Sequence, residues 1–286
     1  MSSLRAWVRL IGMVLVTLVA LVPAVLTWPI GWLTGRGGRL GLLAMTVITQ
    51  LWARSLMFVM GVRVDSPGRP PPGRWMVVSN HLSYLDILVI ASRLRCRFVA
   101  KSEVAGWPVV GFISKVGRTL FVDRGRRRDV MDAGQRIRDT LDAGITIAFF
   151  PEGTSTRGER VEPFYAGLLE PAAKGGIDCL PVALGYETPE DPDGPGWTVC
   201  WWADMTFAPH AWQLMKLRRI DATIRWAEEP VHHEDRKVLA QRLHEKVSEL
   251  FVPVRQEPEP ADNPWAALAV PSVPAASPGA DPGTEG

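Results

Sequence analysis

The chain of 286 residues is predicted to be an α/β protein. Its sheet is mostly parallel and flanked by helices, and an N-terminal membrane-embedded helical pair precedes it. Three observations predict this. Two long apolar segments open the chain, short apolar runs then alternate with helical stripes, and polar residues stand directly after three of those runs. The implied organisation is an anchoring segment over 1–66, an α/β domain over 67–255 and a Pro/Ala-rich disordered tail over 256–286.

The elements follow in order. From Leu10 to Gly35 no residue is charged, and roughly 20 apolar residues suffice to cross a bilayer as a helix. Arg5 and Arg9 precede this run and Arg36 and Arg39 follow it, so flanking charge sets no orientation. The run is long for the apolar part of a cleaved signal peptide. Pro23 and Pro29 would kink a spanning helix, which makes a re-entrant hairpin the alternative. The second segment, Leu40 to Val62, is interrupted by Gln50 and Arg54. Four residues apart, they share one helical face, so this helix is read as amphipathic, in the interface or packed on the first helix. Both segments can also be read as a buried hairpin of a soluble protein.

A Pro-rich break at Pro67 to Pro72 then changes the pattern. Strands are predicted at Trp75 to Ser79, Phe98 to Ala100, Thr119 to Val122, Ile145 to Phe150, Cys179 to Leu184, Thr198 to Trp202 and Asp221 to Trp226. Helices are predicted at Tyr84 to Leu94, Val104 to Val116, along the stripe Val130, Ile137, Leu141 that ends at Gly144, and at Asp235 to Phe251. Strands alternating with helices of this length argue for a mostly parallel sheet, whose ligands collect at the carboxyl ends of the strands. The last 31 residues hold seven prolines and little apolar periodicity, the composition of a disordered tail.

Composition narrows the function. The net charge is only +2, which gives no signal for nucleic acid. Arginine outnumbers lysine, and guanidinium groups suit anionic ligands. Three cysteines without a CxxC pair argue against a disulfide framework or structural zinc and fit a reducing compartment. The histidines beyond His81 fit no HExxH zinc spacing, and no GxSxG elbow, Walker A loop or GxGxxG is present.

Three segments carry the chemistry: Asn80 to Asp86 (NHLSYLD), Gly117 to Arg124 (GRTLFVDR) and Phe150 to Arg157 (FPEGTSTR). On one continuous helix, residues five apart point about 140° away from each other, so His81 meets Asp86 only if it sits on the loop before the helix. Asp86 would then hold one imidazole nitrogen and leave the other free as a base. The same stretch also reads as a capping box, Ser83-x-x-Asp86, and the two readings are compatible. Residues 118–128 hold five arginines against one aspartate. Arg124, just past a strand, is placed to hold a phosphate. Arg126, Arg127 and Arg128 read as a solvated loop and helix start. Pro151 and Gly153 make a tight turn that displays Glu152 at the sheet edge, and Arg157 offers a second anion contact.

Together these segments resemble the lysophospholipid (glycerolipid) acyltransferases, including 1-acylglycerol-3-phosphate acyltransferases. Asn80-His81 through Asp86 is similar to the family's NHxxxxD. Gly117 to Arg124 is similar to its arginine motif, with Phe121 out of the usual register. Phe150 to Thr154 is its FPEGT, Phe164 and Gly167 its following Phe-x-x-Gly, and Leu180-Pro181-Val182 its apolar proline motif. All stand in the expected order over residues 75 to 185. One departure is that Ser155 and Thr156 precede Arg157; this variant is similar to members acting on other lyso-lipids, including lyso-ornithine lipids.

The resemblance implies one direct acyl transfer. His81 and Asp86 are the implied catalytic residues. Asn80, Arg124, Glu152, Gly153, Thr154, Arg157 and Pro181 are the implied substrate-binding residues. Backbone amides near Gly153 are expected to stabilise the oxyanion. The implied acceptor is a lysophospholipid, foremost 1-acyl-sn-glycerol 3-phosphate, and the donor is acyl-CoA or acyl-carrier protein, a co-substrate. No cofactor and no metal are expected, and the partners are membrane lipid rather than nucleic acid. The expected location is the cell membrane, with the α/β domain facing the cytoplasm. The rival readings are a membrane-anchored serine hydrolase using Ser79, Ser83 or Ser155, and a non-catalytic membrane-binding protein.

Overall fold

The computed structural model describes residues 2–33, 38–123 and 127–258. Two long helices come first, α1 (Ser2–Leu33) and α2 (Arg39–Met60). Then follow β1 (Val62–Asp65), β2 (Met76–Ser79), α3 (Leu85–Arg93), β3 (Cys96–Lys101), α4 (Val110–Val116), β4 (Leu120–Val122), α5 (Arg127–Asp142) and β5 (Thr146–Phe149). The chain continues through α6 (Glu170–Gly175), β6 (Cys179–Glu187), α7 (Pro195–Thr198), α8 (Phe207–Lys216), β7 (Ile220–Trp226) and α9 (Arg236–Leu250).

The seven strands form one sheet in the order β1-β7-β6-β2-β5-β3-β4. Neighbours are parallel except β6 and β7, which are antiparallel. The short apolar runs explain the centre. MVVS and TIAF are buried at every position, as central parallel strands covered on both faces must be. Their side chains alternate between two cores. Val77, Ala148, Leu180, Val182, Leu184 and Tyr186 share one with residues of α2, α3 and α8. Met76, Val78, Ile147, Phe149 and Ala183 share the other with residues of α5, α6 and α9. The result is a three-layer sandwich, with its sequence-predicted chemistry at the carboxyl ends of β2 and β5.

The predicted helical pair is present. Helix α1 runs through Pro23 and Pro29 without interruption, and Ser2–Thr27 and Arg39–Met60 are long and apolar enough to cross a membrane. Its N-terminal arginines have a second role. Arg9 donates to the carbonyls of Met215, Leu217 and Arg218, and Arg5 to that of Lys216. Those of Met215 and Lys216 are orphan carbonyls at the end of α8, and those of Leu217 and Arg218 lie just past it. The polar face of α2 packs on α3 and the turn after it: Arg54 donates to the Ser92 carbonyl and Gln50 accepts from Arg95.

The structure departs from the local expectations in several places. The predicted helix 104–116 is broken into a 3-10 turn, Ser102–Gly106, and α4. Pro108 disfavours helical geometry at Trp107, and Val109 adopts φ 60. The predicted strand Thr198 to Trp202 is instead α7 and a loop, because its backbone bonds go elsewhere: Cys200 N–H to Pro195 and Trp201 N–H to Leu82. Helix α8 had no predicted counterpart. Strand β1 lies within the segment assigned to the anchor, yet pairs with β7. At the start of the predicted tail, Gln256 donates to the Arg157 carbonyl and the Glu257 carbonyl accepts from Arg157; 259–286 lie outside the described residues.

Candidate active site

The site begins where β2 ends. Strand β6 has nine residues and β2 four, so beyond Ser79, which pairs with Val182, β6 presents unpaired backbone. Asn80 takes the place of a continuing strand. Its side-chain oxygen accepts from Leu184 N–H at 2.8 Å and its amide donates to the Leu184 carbonyl at 3.1 Å. The side chain is 1% exposed. Asn80 therefore anchors the loop through both polar ends of its side chain.

That anchor sets the turn which carries His81. The His81 carbonyl accepts from Thr156 N–H at 3.0 Å, and its N–H donates to Glu152 Oε1 at 3.0 Å. The ring stacks on Phe150, centroids 4.2 Å apart and planes 13° apart. The FPEGT segment thus holds His81 through backbone, side chain and ring. His81 lies off the helix, and its Nδ1 is 2.7 Å from Asp86 Oδ2. A carboxylate only accepts, so Nδ1 carries the proton in the neutral ring and the lone pair is left on Nε2.

Asp86 is 0% exposed, and a buried carboxylate is costly unless its oxygens are bonded. Here they are. Oδ2 also accepts from the N–H groups of Leu82, at 2.6 Å, and Ser83, at 3.0 Å; Oδ1 accepts from the Tyr186 hydroxyl at 2.6 Å. The Ser83 bond is half of the predicted capping box. The Ser83 hydroxyl accepts in turn from Leu85 N–H at 3.3 Å. The cap and the His81–Asp86 contact are one structure.

Glu152 links this centre to an open cleft of about 1000 Å³, whose lining also includes Gly153, Thr154, Tyr165, Lys174 and Arg236. Glu152 is 3% exposed, and its Oε2 is buried without a hydrogen-bond partner. Burial, with the nearby charge of Asp86, pushes its carboxyl up to about 8, against the opposing bond from His81 N–H. Lys174 and Arg236 both pair with Glu170.

The remaining predicted residues fall into place unevenly. Gly153 sits at φ 78, left-handed geometry that favours glycine. Its N–H donates to the Phe150 carbonyl at 3.2 Å, so it is already engaged where an oxyanion donor was expected. Thr154 is exposed on the cleft wall. Arg157 is turned away from the cleft. Its guanidinium lies over Trp197 at 4.6 Å and donates to the Glu257 carbonyl at 2.6 Å. In this position the stacking and the Glu257 bond tie down the C-terminal segment. Pro181 is buried in β6 and its carbonyl accepts from Ala227. It stands where the neighbour of β6 changes from β7 to Val231, so its missing N–H leaves no ladder bond broken. Arg124 and Arg126 lie outside the described residues.

Sequence reading missed Tyr186 and Trp201, whose N–H donates to the Leu82 carbonyl at 2.8 Å. Tyr186 continues the Leu180, Val182, Leu184 face of β6; a tyrosine ending such a face, its polar tip at the strand's carboxyl end, was the available signal.

Residues 62–185 match the family model described as Acyltransferase. Two similar relatives are lyso-ornithine lipid O-acyltransferases. That of Rhodobacter capsulatus is 35% identical over 60% of this chain, and that of Brucella abortus is 32% identical over 68%. The matches span 63% and 77% of those proteins. A 1-acyl-sn-glycerol-3-phosphate acyltransferase of Neisseria gonorrhoeae is 29% identical over 66% of this chain and 73% of its own. Among solved structures, the 1-acyl-sn-glycerophosphate (LPA) acyltransferase PlsC of Thermotoga maritima has a TM-score of 0.60. It is 20% identical, and the match covers 87% of this chain and 98% of that one. This likeness bears on the fold, including two N-terminal apolar helices before a mostly parallel sheet.

Proposed function

Because the chain belongs to the lysophospholipid acyltransferase family, we propose that it moves a fatty acyl group from acyl-CoA or acyl-carrier protein to the free hydroxyl of a lyso-lipid, with 1-acyl-sn-glycerol 3-phosphate as the foremost acceptor. The observation that carries the mechanism is the 2.7 Å contact between His81 Nδ1 and buried Asp86. It leaves Nε2 as the base. Nε2 takes the acceptor's hydroxyl proton as that oxygen attacks the thioester carbonyl. Asp86 stabilises the imidazolium so formed. The tetrahedral intermediate then collapses, the carbon–sulfur bond breaks, and the thiolate leaves with the proton from His81. The new ester forms in one transfer, without an acyl-enzyme. Glu152, which lines the cleft, helps seat the acceptor by fixing the His81 turn through His81 N–H.

A second reading of the acceptor, lyso-ornithine lipid, is favoured by one feature. Arg157, the candidate phosphate contact of the FPEGT segment, is committed to Trp197 and Glu257. The proposed setting is the cell membrane, with the two apolar helices embedded and the α/β domain on the cytoplasmic side.

The test is turnover of labelled acyl-CoA by the purified chain against a panel of lyso-lipids, read by mass spectrometry. His81→Ala is expected to lower turnover by about 10²–10⁴-fold, the range of general acid–base catalysis. Near wild-type turnover of that variant would sink the scheme.

A further inference from the structure

The length mismatch between β6 and β2 does more than anchor Asn80. Two residues past Leu184, on the same face, β6 carries Tyr186. Its hydroxyl is 2.6 Å from Asp86 Oδ1, and it is 3% exposed. The two oxygens of Asp86 are therefore held from different sides. Oδ2 faces His81 and the loop amides, and Oδ1 faces the sheet. Burial, together with the charge of Asp86, pushes the Tyr186 phenol well above its ordinary range, so it stays a donor. The other titratable groups facing this cluster are Glu152 after β5, Cys200 in the loop after α7, and Tyr84 before α3, itself bonded to His210 of α8.

We propose that Tyr186 is a positioning residue for the transfer, setting the orientation and basicity of His81 through Asp86. This rests on the reading of His81 as the base. Each donor on a carboxylate stabilises its charged form, so the Tyr186 hydroxyl leaves less of that charge for the other donors, His81 among them. With Tyr186 bonded to Oδ1, Asp86 stabilises the His81 imidazolium less strongly than it otherwise would. The same bond keeps Oδ2 turned towards Nδ1. Removing the hydroxyl while keeping the ring should thus raise the basicity of His81 and loosen its orientation together.

The experiment uses the purified full chain in detergent, with labelled acyl-CoA and a lyso-lipid that the wild type accepts. For Tyr186→Phe, kcat is expected to fall about ten- to a hundredfold, as for loss of a hydrogen bond to a charged group. KM should stay within about twofold, since Tyr186 does not touch substrate. The acid limb of the kcat/KM profile, which reports the free enzyme's base, should move to higher pH. Val182→Ala, buried on the same strand face, serves as the packing control. It should lose thermal stability and keep the wild-type acid limb. Tyr186→Phe with wild-type kcat, or with an acid limb unmoved or lowered, overturns the proposal. His81→Ala is assayed alongside. If it keeps turnover, the base reading fails and takes this proposal with it. If it is inactive while Tyr186→Phe behaves as wild type, the role of Tyr186 alone fails.

Discussion

At Glu152 a carboxyl is pushed up to about 8 by burial and by Asp86. The unfolded chain releases that proton near the ordinary value of 4.5. Between these two values the folded state holds one more proton than the unfolded state, so this residue makes stability fall as pH rises, with no further loss above about 8. The effect is on the order of a few kcal/mol at its full extent. Glu152→Gln keeps an acceptor for His81 N–H and cannot ionise. The melting temperature of the variant is expected to decline less than that of wild type from pH 5 to 8; parallel curves would count against a buried neutral acid. The part of the site legible in sequence is the part written in local spacing. The five-residue separation of His81 and Asp86 demands a loop followed by a helix start, and the chain makes one. The roles of Asn80 and Tyr186 were illegible because each acts on a partner a hundred or more positions away, Leu184 and Asp86 respectively. Only the sheet order supplies those partners.

Among the elements, the extended segment after α9 runs back over the loop that follows β5. Val254 N–H donates to the Gly158 carbonyl, and Arg157 and Trp197 both donate to the Glu257 carbonyl. Gly158, at φ 82, lies so close that a Cβ there would meet Val254 Cγ2 at 2.7 Å. If Arg157 is a tie for this segment, Arg157→Ala should destabilise the protein by about 1–3 kcal/mol, seen as a lower melting temperature, with KM for the lyso-lipid unchanged. A large rise in KM at wild-type stability would restore the anion-binding role. Helix and strand boundaries were well read wherever periodicity and packing agree, as in β2, β5 and α9. They failed where tryptophans take over. Residues 198–202 look like a strand by composition, but Trp197 and Trp202 flank Arg157 and Trp201 faces Tyr84. Those side-chain contacts dictate a loop.

In the whole molecule, the helical pair and the α/β domain do not separate at residue 66. Helix α1 exposes a run of apolar residues, including Leu15, Leu18, Val19 and Val22. Helix α2 does the opposite along one face. Ala53, Met57 and Met60 are buried in the same core as Val77, Val89 and Leu180. The sequence reading placed both helices in one anchoring unit because hydropathy alone does not distinguish a face that seeks lipid from one that seeks a sheet. Packing does: it builds one face of α2 into the catalytic layer, while Arg5 and Arg9 tie α1 to the end of α8. Burying a methionine is worth about 1.5–3 kcal/mol, so removing α2 with Met57 and Met60 forfeits more than one such contribution from a domain whose net stability is about 5–15 kcal/mol. A chain starting after Met60 is therefore expected to aggregate, or to lack a cooperative melt, in buffer and in detergent alike. Detergent can cover the lipid-facing side of α1 but cannot replace the packed contacts of α2. Size-exclusion chromatography and thermal unfolding in both media check this, and a monomeric fragment with a sharp transition would show that the two parts are independent.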